Sequence, residues 1–129
     1  MVSQIDLFSS LASLLGSPLR GPDSEDLSRV LLGESDRGRK VLVQEATGRT
    51  ALRKGKWKLI PPYSGPALQE QVQIETGNSD QPLLYDLSND VGEKVNLAPA
   101  ETDKLKEMTI TLEAIRGITP PVNGEIELK

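Results

Sequence analysis

Cysteine and histidine are both absent from the 129 residues. The first absence excludes a disulfide scaffold, a thiolate zinc site, a catalytic thiol and an iron–sulfur centre. The second removes the commonest general base, the usual transition-metal ligand and every histidine-based triad. Aromatic side chains are few, namely Phe8, Trp57, Tyr63 and Tyr85, so the core must come mainly from aliphatic residues. No apolar run approaches the roughly 20 residues that span a bilayer. The opening Met1-Val-Ser-Gln-Ile-Asp lacks the basic stretch that begins a secretion signal, so Met1 reads as an internal or engineered start. A balance of 15 basic against 19 acidic residues gives no ground for a nucleic-acid partner. The length suits one small domain.

Eleven glycines and nine prolines leave a chain of short elements joined by many turns. Residues 3–15 predict a helix, with Ser3 and Asp6 spaced as a capping box and Leu7, Phe8, Leu11, Leu14 and Leu15 forming a wide apolar face. Gly16 and Pro18 end it. A second short helix is expected over 23–32, capped by Asp23 and burying Leu27, Val30 and Leu31. Val41 to Ala46 is strand-like. Residues 50–60 predict a hairpin about Arg53-Lys54-Gly55, where glycine supplies the positive φ of a tight turn. Its second arm should place Lys56 and Lys58 on one face and Trp57 and Leu59 on the other. Val72 and Ile74 suggest an edge strand, and Leu83–Leu87 another short strand. A longer helix is expected over 99–116, starting at Pro99, striped by Leu105, Met108, Leu112 and Ile115, and closed by Gly117. The order implies an α+β fold. A small antiparallel sheet of about four strands packs against the C-terminal helix, with one or two helices before it. The chain divides into an N-terminal helical segment, 1–36, and an α+β subdomain, 37–129.

Charge is unevenly spread. Between Arg37 and Lys58 there are eight basic residues and one acid, Glu45. One reading is an anion-binding surface centred on Lys56 and Lys58; the other is a solvated strand face balanced by acidic neighbours.

Two segments taken together resemble a known family. Ala51-Leu52-Arg53-Lys54-Gly55-Lys56-Trp57-Lys58-Leu59-Ile60 is similar to a hairpin near the C-terminus of the arylsulfatase-like sulfatases. Leu84-Tyr85-Asp86-Leu87-Ser88-Asn89-Asp90, followed by Glu93 and Asn96-Leu97-Ala98, is similar to a later run of the same family that also precedes a helix. Val91 stands where that run usually has proline. Upstream, Gln4-Ile5-Asp6-Leu7 with Leu11, Leu14, Leu15 and Gly16 resembles a helix of these proteins, and Gly33-Glu34 fits the stretch after it. The resemblance runs from about Val2 to about Arg116. Read as structure, Tyr85 and Leu87 point inward, Asp86, Ser88 and Asp90 close a turn, and Glu93 and Asn96 satisfy backbone amides before the helix.

The resemblance implies a sulfuric ester hydrolase whose reactive parts lie elsewhere. Family members use a formylglycine made from the first residue of C/S-x-P-x-R, calcium held by carboxylate and amide oxygens, and Lys and His groups around the sulfate. The nearest match here, Gly16-Ser17-Pro18-Leu19-Arg20, puts glycine at the nucleophile position, where there is no side chain to convert. The acidic cluster Asp23, Glu25 and Asp26 lacks a calcium-loop spacing. No catalytic or metal-binding residue is therefore assigned, and no cofactor is expected in this chain. The expected role is that of the C-terminal portion of a sulfatase, inactive alone, whose main partner is the catalytic domain. Family members are often periplasmic, secreted or lysosomal. Within the chain, the loop holding Gln44, Glu45, Thr47 and Arg49 is the candidate lining of the substrate cleft, with Arg49 suited to a sulfate or uronate. Two other classes compete: a stand-alone binder of sulfated or other anionic polysaccharide using Lys56 and Lys58, and an interaction module that self-associates through Leu7, Phe8, Leu11 and Leu14.

Overall fold

Gly55, at φ +59, occupies the first central position of a two-residue turn between Lys54 and Trp57, the place where a hairpin of this kind favours glycine. Around that turn the computed structural model, which describes residues 1–46 and 49–117, builds its larger sheet. The strands are β1 (Val41–Ala46), β2 (Arg49–Lys54) and β3 (Trp57–Ile60), then β4 (Leu68–Gln69), β5 (Ile74–Glu75) and β6 (Leu83–Asp86). Four of them form one sheet in the order β1-β2-β3-β6, with β3 antiparallel to both β2 and β6. The expected hairpin and both flanking strands are present. Residues 72–74 do not edge this sheet; Ile74 pairs instead within a separate two-stranded ribbon of β4 and β5.

Register explains the core. Leu52 lies opposite Leu59, and Leu59 opposite Leu84, so three leucines stack across one face of the sheet. The C-terminal helix α3 (Thr102–Arg116) lies against β2 and β3 and closes that face with Met108 and Leu112, all five side chains being buried. Each such side chain contributes on the order of 1.5–3 kcal/mol on leaving water. The helix starts three residues later than its proline suggests. The Leu97 carbonyl accepts from the amides of both Ala100 and Glu101, and this turn, with Glu101 at φ −108 and ψ 56, holds Pro99 outside the helix. Ile115, expected on the buried stripe, is exposed. Gly117 takes the left-handed cap at φ 72.

The chain separates into two compact units, Met1–Leu42 and a second beginning at Val43. Arg37 to Leu42, grouped by the sequence with the strands, belong to the first unit, because the Arg39 amide donates to the Met1 carbonyl and its guanidinium grips Asp6. The first unit holds α1 (Asp6–Leu14) and α2 (Ser28–Leu31). Its packing inverts the usual rule. Helix α1 buries Asp6, Ser9 and Ser10, while Leu7, Phe8, Leu11 and Leu14 are 41–55% exposed. Only half of the expected capping box forms. The Asp6 carboxylate accepts the Ser3 amide at 2.9 Å, and Ile5 rather than Ser3 occupies the cap position. Asp23 is not the cap: it sits at φ 56 in a turn, and Asp26 accepts the Ser28 amide at the start of the much shorter α2.

Candidate functional site

The polar residues of the two signature segments are internal staples. Lys58 and Glu93, 35 positions apart, meet with Nζ to Oε distances of 2.6 and 2.7 Å. Glu93 was expected to cap backbone amides; the lysine claims its carboxylate instead, and Glu93 adopts φ 54 there. Asn96 fills the capping role, accepting from Leu84 and Ala98 and donating to Pro82. Asp86 closes the turn through the Ser88 amide, and Asp90 accepts from Lys94 and Val95. Val91, free of the proline constraint, is exposed.

Lys56 and Lys58 do not share a face. Lys56 sits in the hairpin turn, reaches Asp86 Oδ2 at 2.7 Å and places its ammonium 5.2 Å from the Trp57 ring centroid. The bond from Lys56, joined by Ser88, holds the Asp86 carboxyl well below its usual range, at about 2. Both lysines thus spend their charge on carboxylates of the chain itself.

On the sheet face away from α3, an open groove of about 900 Å³ runs between the sheet and the β4–β5 ribbon. Lys58, Ile60, Leu83 and Tyr85 form its floor, and Gln44, Glu45 and Arg49 stand at one rim. Three of the four residues proposed from the sequence to line a cleft therefore border one cavity with Lys58; Thr47 lies outside the described residues. The groove is not strongly cationic. Arg49 and Lys58 are accompanied by Glu45, Glu75 and Glu93. Burial, followed by the charges of Glu93, Glu75 and Asp90, pushes the Tyr85 hydroxyl pKa upward.

Sequence reasoning missed the other groove residues. Tyr63 Oη receives the Thr50 amide at 2.7 Å and an Arg116 N–H at 3.1 Å. Burial acts to raise its pKa, but bonds to Thr50 and Arg116 outweigh this and the net shift is downward. Asn78 is buried beside Gly77 and tied to Pro66. Little local flags either residue, since their side-chain partners lie more than ten positions away; the Gly77-Asn78 pair reads only as a turn.

The residues nearest to family cofactor motifs have other occupations. Gly16 is exposed at φ 70. Glu25 pairs with Arg39 at 3.5 Å, and Asp26 is engaged by the Ser28 amide and Arg20. These carboxylates turn toward separate protein donors, an arrangement that does not fit a shared calcium ion.

The geometry defines a small α+β chain with an open groove in its second unit and an exposed apolar helix face in its first. No protein-family model matches the chain. It is 40% identical to the N-acetylgalactosamine-6-O-sulfatase of Bacteroides thetaiotaomicron over 120 residues, covering 90% of this chain and 24% of that protein. It is 35% identical to human arylsulfatase A over 112 residues, covering 75% of this chain and 22% of that protein. A solved sulfatase structure from a study of glycosaminoglycan metabolism by Bacteroides thetaiotaomicron superimposes with a TM-score of 0.82 at 39% identity, over 89% of this chain and 25% of that one. The chain is homologous to the C-terminal portion of the arylsulfatase-like sulfatases, and it spans about a quarter of the length of the curated relatives it matches.

Proposed function

We propose that the chain serves as the C-terminal subdomain of a sulfuric ester hydrolase, docking on a catalytic domain and contributing one wall of its substrate cleft. The inverted packing of α1 carries this reading. A helix that hides a carboxylate and two serines while presenting Leu7, Phe8, Leu11 and Leu14 is shaped to be covered by further protein. Formylglycine and calcium belong in that larger domain, which agrees with Gly16 at the nucleophile position and with the committed carboxylates of Glu25 and Asp26. The cleft wall is the rim of Gln44, Glu45 and Arg49, at the adjoining ends of β1 and β2. The names of the relatives point to sulfated amino sugars as the substrate class. The competing polyanion-binding reading relies on Lys56 and Lys58, whose charges are already met by Asp86 and Glu93.

An aryl sulfate assay of the chain with calcium tests the proposal directly. No turnover above the blank is expected; metal-dependent hydrolysis that scales with protein would overturn it.

A further inference from the structure

The β2–β3 ladder meets a proline before β2 ends. The two-residue turn makes Lys54 and Trp57 a hydrogen-bonded pair, and the same register sets Leu52 opposite Leu59. One further step of that register would bring Thr50 opposite Pro61, which has no amide hydrogen to give, and Pro62 follows it. The antiparallel pattern asks Thr50 to exchange both of its backbone bonds at that step. A side chain supplies them instead. The Thr50 amide donates to Tyr63 Oη at 2.7 Å, and the Tyr63 hydroxyl donates to the Thr50 carbonyl at 3.2 Å. A phenol stands where the strand residue should be.

That phenol is set from two directions. The Tyr63 amide donates to the Ser79 carbonyl at 2.9 Å, which fixes its backbone. Arg116, in the last turn of α3, donates from Nη2 to Tyr63 Oη at 3.1 Å and also to Thr50 Oγ1. The hydroxyl oxygen thereby accepts two N–H groups and gives its one hydrogen, which fills its bonding capacity. Water can compete for this rung, because Thr50 and Tyr63 are half-buried and Arg116 is exposed. The neighbouring rung differs: Leu52 and Leu59 are buried and paired through their backbones.

We infer that Tyr63 and Arg116 form a releasable strap: the phenol rung, with the guanidinium that sets it, holds the opening residues of β2, so that the groove rim at Arg49 swings away from the sheet on its release while the leucine core stays folded. Such partial opening follows the weaker bonds of a fold and leaves its buried pairs intact. The strap governs the motion of the rim whatever occupies the groove.

Amide hydrogen exchange of the 15N-labelled full chain, with the pH titration of the Tyr63 ring, tests the strap. The wild-type Thr50 amide should be protected. Tyr63→Phe keeps the ring and removes only the hydroxyl; Thr50 exchange should rise roughly tenfold while Leu52 and Leu59 keep their protection. Burial raises the Tyr63 pKa, and the bonds to Thr50 and then Arg116 bring it down. Arg116→Gln should therefore move the Tyr63 titration upward and speed Thr50 exchange by a smaller factor, and Arg116→Lys should restore part of both. Unchanged Thr50 exchange in Tyr63→Phe would overturn the rung. A Tyr63 titration unmoved by Arg116→Gln would overturn the part given to the guanidinium. Equal loss of protection at Thr50, Leu52 and Leu59 would show rim and core opening together, and would overturn the separate motion.

Discussion

The two units of this chain solve the burial problem in opposite ways. The second, beginning at Val43, hides Leu52, Leu59, Leu84, Met108 and Leu112 between a sheet and a helix, and ties its loops with charged side chains at the surface. The first hides a carboxylate and two serines. Asp6 accepts from the amides of Ser3 and Glu25 and is clasped by Arg39; Ser10 Oγ accepts from Leu27; Ser9 is bonded to Gly21 and Ser24. The leucines of α1 look outward, while Leu27 and Leu42 are buried. The second unit draws its stability mainly from its apolar core, whereas the first buries a lattice of mutually bonded polar groups.

The contrast is sharpest at Asp6. Asp6→Ala removes the buried anion of Arg39 and leaves its guanidinium with the half-exposed Glu25 alone, an expected loss of up to about 3–5 kcal/mol. Hydrogen exchange at the Ser9, Glu25 and Leu27 amides should rise accordingly, and unchanged protection would erase the distinction between the units. Leu59→Ala removes the central side chain of the three-leucine stack, for an expected loss of about 2–5 kcal/mol in denaturant unfolding. A loss under about 1 kcal/mol would mean that the stack is not the core.

Acid should separate the units more gently. The hydrogen bond from Arg39 leads the causes that hold Asp6 at about 2, below the usual 3.8. A carboxylate with a depressed folded pKa stabilises above its unfolded value and loses that contribution as pH falls through the folded one. The Ser9 and Leu27 amide signals should therefore decay as pH drops from about 4 toward 2, before those of Leu59 and Leu84, followed by NMR. One shared transition would remove the contrast. The smallest effect is expected at Leu11→Asp, which should change stability by no more than about 0.5 kcal/mol, as for an exposed position. The same variant should reduce apolar-dye binding and any self-association seen by light scattering. Unaltered dye binding would show that the α1 face is not the sticky surface.

Period and punctuation carried most of the fold. The β2–β3 turn announces itself through Gly55, the α3 cap through Gly117, and the strands through branched apolar runs. Where one local signal misled, a competing local bond had won. Pro99 looked like a first helical residue, but Leu97 accepted its neighbours' amides; Asp23 looked like a cap, but Asp26 took the Ser28 amide. The first helix shows the deeper reason. Its apolar stripe was legible, while its orientation was not, because which face turns inward depends on Arg39, 33 residues away from Asp6. The groove divides the same way. Gln44, Glu45 and Arg49 read in the sequence as a loop, but they are the adjoining ends of β1 and β2, whereas Asn78 and Tyr63 acquire meaning only through partners across the fold.

Among the described residues the β4–β5 ribbon is anchored near its base, where the Tyr63 amide donates to the Ser79 carbonyl and where the Pro66 carbonyl accepts from both Thr76 Oγ1 and Asn78 Nδ2. Its outer residues, including Val72 and Ile74, add nothing to the leucine stack. The segment can thus be lengthened, shortened or exchanged by evolution or by an engineer without refolding what lies beneath, giving the scaffold an interchangeable visor over an unchanging floor.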